Sequence, residues 1–370
     1  MANGAWIMGL PNAVNAYFRK AMEEACAHGI GLMPFDARAV RYGVEPTFLA
    51  FLSEAKGDAV WTREVDAWPD FSRKRMANIA RVRFIDRALN SIRQAFEKEN
   101  IRFLVLKGAR IGRELFGAAE ARATTDIDLW ISESRLSQAR AVLAKLGYSV
   151  APSAPCADSL RYWATNQEIA FHETWPAVEL HWRLGRPGLV MPSFDEAYAV
   201  SRNDAWGGGV RVPSVCDMWI VLLVHALEHM FALKTLIDGI AFCARYESEA
   251  RKLCRYAENF GLRRLSVFFF ELYRLLSEGH VGERRFIVRF VGWAMIRVWQ
   301  SDCAFGGELV VGKDSKIEAA LGVILRGVSM FALDGAEYAL GNALRAWFYG
   351  PHGMGKCLNR VILSREKRGV

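Results

Sequence analysis

Two carboxylates two positions apart, Asp126 and Asp128, stand in the run Thr125-Asp126-Ile127-Asp128-Leu129-Trp130-Ile131. In an extended strand residues i and i+2 project to one face, so the two acids point the same way and Ile127, Leu129 and Ile131 alternate with them. Like charges held side by side call for a cation. A pair at this spacing suits Mg²⁺ ions that hold a triphosphate and neutralise the charge developing on a transferred phosphorus. Upstream, Phe103 to Leu106 reads as a buried strand, Lys107-Gly108 as its turn and Ala109 to Phe116 as a helix. Strand, glycine turn and helix N-terminus together form an anion site, because unpaired backbone N–H groups there can face a phosphate.

A third carboxylate, Glu179, lies in Val178-Glu179-Leu180-His181-Trp182. As a strand this segment puts Glu179, His181 and Arg183 on one face and Val178, Leu180 and Trp182 on the other. In order along the chain, Leu106-Lys107-Gly108, Arg122, Asp126-Ile127-Asp128-Leu129 and Glu179-Leu180-His181-Trp182 resemble the motifs of bacterial nucleotidyltransferase-like proteins of the polymerase-β superfamily. The resemblance is strongest over residues 104–182 and continues more loosely to Asp238. Better-known members carry Gly-Ser in the first turn, where this chain has Lys107-Gly108.

That resemblance implies an α/β (α+β) fold with a mixed sheet, flanked by helical segments. It also implies transfer of a nucleoside monophosphate from an NTP to an acceptor hydroxyl or phosphate, with release of pyrophosphate. Asp126, Asp128 and Glu179 would hold Mg²⁺, or Mn²⁺ in its place, and Glu179 would help deprotonate the acceptor. Lys107, the Gly108 backbone and Arg122 would grip the nucleotide, with Lys234 and Asp238 facing it from the helical domain. The acceptor, whether small molecule, protein or tRNA, is set by flanks and loops and not by the motif. The rival reading is a degenerate nucleotidyltransferase fold that binds a nucleotide or a protein without turnover.

Other features have two readings each. Arg122 either holds phosphate or forms a plain ion pair. His181 either orients a carboxylate or is a satisfied structural histidine. Lys234 and Asp238 either face the nucleotide or make an i,i+4 salt bridge. His225 and His229 have a spacing that can bind zinc, but without His-Glu-x-x-His or a third ligand they read as packing or hydrogen bonding. Gly350 to Cys357 nearly matches a phosphate-binding loop, yet it has Cys357 where a serine or threonine is needed and follows a predicted helix instead of a strand.

The surrounding chain has to position these groups. Helical periodicity over residues 1–98 precedes a strand-helix alternation over 99–200, and 201–370 is again helical, which gives three segments. Ser134 is expected to cap a helix over Arg135–Leu146 that Gly147 ends, and a strand is expected around Tyr162–Thr174. Asn203 to Pro213, with Gly207 to Gly209, reads as a hairpin or linker, and the tryptophans Trp219, Trp293, Trp299 and Trp347 as core.

Of 370 residues, 52% are hydrophobic and 24% charged, a packed composition and not a disordered one. The net charge of +8 favours an anionic partner such as a nucleotide, and nucleic acid more weakly. Seven scattered cysteines without a Cys-x-x-Cys pair fit a reduced cytoplasmic protein. The most apolar stretch, Met218 to Cys243, is interrupted by His225, Glu228, His229, Lys234 and Asp238, which argues against a membrane span.

Overall fold

The sheet begins at the apolar run Phe103–Val105 (β1), buried throughout, and turns at Lys107-Gly108 into helix α4, Ala109–Phe116. The computed structural model describes residues 10–27, 39–40, 43–55, 68, 70–150, 166–185, 190–204, 209–229 and 231–278. Strands β2 (Ile127–Ile131), β3 (Ser149–Val150), β4 (Gln167–Phe171) and β5 (Val178–His181) complete a five-stranded mixed sheet in the order β1-β2-β5-β4-β3. Among the described strands only β2 and β5 run parallel, with Asp128 opposite Glu179 and Trp130 opposite His181. All five residues of β2 are buried, as expected of a strand covered on both faces.

Alternation along the strands sorts the side chains into two layers. Phe103, Val105, Ile127, Leu129, Ile131, Val178 and Leu180 pack beneath helices α3 (Phe71–Lys98) and α5 (Leu136–Lys145). Leu104, Leu106 and Trp130 face the other way, onto Phe194 of helix α6 (Phe194–Ala199) and Val221 of helix α7 (Val215–Glu228). Asp128 shares this second face by its parity with Trp130. So does Glu179, its partner in register. The acids therefore lie under α7.

Two short strands, β6 (Arg202–Asn203) and β7 (Arg211–Val212), form the antiparallel hairpin expected before α7. Helices α8 (Leu233–Arg245), α9 (Ala250–Glu258) and α10 (Arg263–Glu278) follow. Helices α1 (Asn12–Ala27) and α2 (Glu45–Ala55) share one apolar cluster with α7 to α10, so the two ends of the described chain meet in a common core. Trp219 lies at its centre, stacked on Phe242 at 4.7 Å, with its indole N–H donating to Ser266 Oγ at 2.8 Å.

The helix after β2 starts differently from expectation. A 3₁₀ turn at Glu133–Arg135 precedes α5, and Ser134 caps nothing: its hydroxyl meets Ser132 Oγ at 2.9 Å. Local serine-to-serine bonding competes with the capping geometry there. Gly147 does end the helix region, at φ +89°. Trp293, Trp299, Trp347 and the segment Gly350–Cys357 lie outside the described residues. No helix among the described residues is long and apolar enough to cross a membrane.

Candidate active site

Gly108 sits at φ +81°, ψ −144°, a conformation that only glycine adopts without strain, and a Cβ there would come within 3.2 Å of Thr124 Cγ2. The Leu106 N–H still pairs with the Asp128 carbonyl at 3.1 Å, so the chain leaves the sheet directly after this bond. Lys107 is thereby turned back over β2. Its Nζ lies 3.0 Å from Asp128 Oδ1 and 3.4 Å from His225 Nδ1. No side chain caps α4, so acceptors for its leading N–H groups must come from elsewhere.

From β5, His181 Nε2 reaches the same Asp128 Oδ1 at 3.1 Å and Glu179 Oε2 at 3.6 Å. Gln167 on β4 donates to Glu179 Oε2 at 3.1 Å. Asp128, Glu179 and His181 each offer a ligand atom within 4.8 Å of the others. Two carboxylates and a neutral imidazole nitrogen are a donor set that could take a divalent cation, and the two acids are the hard ligands that Mg²⁺ or Mn²⁺ requires. Asp126 is not a member of this group, although it lies in the field of Asp128, Glu179, Lys107 and Lys234.

The electrostatics divide the two neighbouring aspartates. Burial works to raise the Asp128 carboxyl, but Lys107 and the His181 hydrogen bond overcome it and hold Asp128 well below the usual carboxylate range. Burial raises Asp126, and its like-charged neighbours Asp128 and Glu179 add to the shift. Burial works to lower Lys107 and His181, but the neighbouring acids Asp128 and Glu179 outweigh it and raise both. His225 goes the opposite way: burial and Lys107 push it well below its normal value. It is neutral and accepts from the Lys107 ammonium, with His229 edge-on at a ring distance of 4.3 Å.

Arg122 and Asp238 are brought together and occupied by each other. Arg122 Nε and Nη2 grip both carboxylate oxygens of Asp238 at 2.8–3.1 Å, and both side chains are nearly fully buried. Lys234, one turn before Asp238 on α8, makes no ion pair or hydrogen bond among the described residues. Burial and then Arg122 lower it to about 8. Sequence reasoning missed His225 and Gln167 as parts of the site. The His225/His229 spacing was a signal, but nothing in the sequence says that α7 crosses the acid face of the sheet.

No curated protein and no solved structure matches this chain. A family model described as "Uncharacterised nucleotidyltransferase" matches residues 34–277, which takes in the Lys-Gly turn, the paired aspartates, β5 and helices α7 to α9 with most of α10. This chain belongs to that family of uncharacterised nucleotidyltransferases.

Proposed function

We propose that the protein transfers a nucleoside monophosphate from an NTP to an acceptor hydroxyl or phosphate, with Mg²⁺ or Mn²⁺, releasing pyrophosphate. The observation that carries this reading is the register of β2 and β5, which sets Asp128 beside Glu179 directly below the Lys107-Gly108 turn. Asp128, Glu179 and Asp126, with His181 beside them, would hold the cation. Once bound, it would supply Lewis-acid polarisation and charge neutralisation at the phosphoryl group. Lys107 and the uncapped start of α4 would receive phosphate oxygens, and Lys234 would add positive charge from α8. Glu179 would accept the acceptor's proton, since a carboxylate hydrogen-bonded to Gln167 is held in one orientation. His225 would position Lys107 by accepting its N–H.

One observation favours a second reading, a nucleotide- or protein-binding module without turnover. Asp128 Oδ1 already has two protein partners, Lys107 and His181, so a divalent cation must compete with the Lys107 ammonium. The deciding experiment incubates the protein with each α-labelled NTP, Mg²⁺ or Mn²⁺ and a lysate fractionated into RNA, protein and small molecules. Label should enter one fraction and vanish with Asp128→Asn, since loss of a metal ligand removes positioning and charge stabilisation together. Nucleotide binding by thermal shift without labelling in any fraction would establish the binding module instead.

A further inference from the structure

Away from the acid cluster, a cavity of about 810 Å³ opens between the start of α7 and helices α9 and α10. Cys216, on its wall, precedes His225 by nine residues on α7, roughly 14 Å at the helical rise, so the cavity lies toward the other end of that helix. Its lining carries four cations, Arg251, Lys252, Arg255 and Arg274, against one carboxylate, Glu247. Glu247 is itself engaged by the Tyr273 hydroxyl at 2.8 Å. Lys252 pairs with Glu249 at 2.9 Å and Arg274 with Glu271 at 3.4 Å. Arg251 and Arg255 have no ion-pair partner among the described residues.

This arrangement works against the helix that carries it. Arg251 and Arg255 are i,i+4 neighbours on a helix of nine residues, and like charges at that spacing repel. Cys216 offers no compensating anion, because burial raises its thiol and keeps it neutral. Residues at i and i+4 of a helix stand about 5–6 Å apart at Cβ, so two guanidinium forks, each able to take an oxyanion bidentately, can together reach neighbouring phosphoryl groups, a better match than one carboxylate. The volume suits a ligand of nucleotide size.

We propose that this cavity is a second anion site, taking a small molecule with two or more linked phosphoryl groups, either a free oligophosphate or the phosphate chain of a nucleotide. The proposal does not rest on the catalytic reading of the acid cluster. It is tested on the full chain in EDTA by calorimetry with inorganic tripolyphosphate, then with ATP, at constant ionic strength. A saturable site separate from the one at Lys107 and Lys234 is expected: it survives Lys234→Met and weakens by about tenfold or more in Arg251→Ala/Arg255→Ala, a loss of about 1.4 kcal/mol or more. ATP competing with tripolyphosphate would identify the nucleotide's phosphate chain as a source, and its failure to compete would restrict the site to free oligophosphate. Both arginines are exposed, so the double variant retains its core, and an unchanged melting temperature without ligand verifies this. Wild-type tripolyphosphate affinity in the double variant would overturn the assignment. So would a single-stranded RNA decamer that binds tighter than tripolyphosphate and depends on the same arginines, since the ligand would then be a polymer.

Discussion

At the residue scale the strongest single commitment is the buried Arg122–Asp238 pair, which joins the turn before β2 to α8. Removing one partner from such a pair leaves an uncompensated buried charge, at a cost of about 3–5 kcal/mol, whereas replacing both with apolar residues of similar volume is far milder. Asp238→Ala should therefore lower the urea midpoint steeply, and Arg122→Met/Asp238→Leu should recover most of the loss. A double variant as unstable as the single one would show that the pair does not act as a unit. The shared face of Asp128, Glu179 and His181 was legible in the sequence because parity along β2 and β5 fixes it, whereas Lys107 and Asp126 lie just outside β1 and β2, where alternation no longer decides a side chain's direction. The pairing of Arg122 with Asp238 was not legible, because it joins residues 116 positions apart, and such contacts depend on how helices cross.

At the scale of elements, the site depends on α4 lying close against the 3₁₀ turn Ala119–Ala121, from which Arg122 departs. Gly112 permits this approach. A Cβ at that position would stand 2.7 Å from the Ala119 carbonyl oxygen and 3.2 Å from Arg122 Cβ. Backbone cannot rotate away as a long side chain can, so Gly112→Ala should destabilise by about 1–3 kcal/mol despite alanine's better helix propensity. Chemical denaturation decides it, and a stabilised variant would refute the close approach. The same logic explains which elements could be read in advance. β1, α4 and β2 announce themselves through apolar runs, a glycine turn and period-two alternation. The start of α5 does not, because Ser132 and Ser134 satisfy each other. The sharing of one apolar cluster by α1, α2 and α7 to α10 leaves no local trace, since each of those helices shows only that it has an apolar side, not what covers it.

For the molecule as a whole, the acid-bearing sheet and the helices above it meet at Lys234, a lysine that α8 carries into the field of Asp126, Arg122 and Asp238. Folding costs this group part of its charge. Its folded pKa of about 8 lies below the ordinary lysine value of 10.5, so between those values the unfolded chain binds more protons and stability rises with pH. The penalty, up to about 3 kcal/mol, is fully present below pH 8 and is relieved as pH climbs toward 10.5. Lys234→Met should remove that rise, so the difference in unfolding free energy between variant and wild type should shrink with pH across the window. Anion binding should run the other way. A phosphate brought near Lys234 favours the ammonium, so NTP binding should take up a proton near pH 8 and wild-type affinity should fall as pH passes that value. In Lys234→Met the affinity should start lower and lose this inflection. Calorimetry in buffers of different ionisation enthalpy measures the proton uptake directly. Uptake that persists in the variant would assign the titration to another group and remove Lys234 from the phosphate's path.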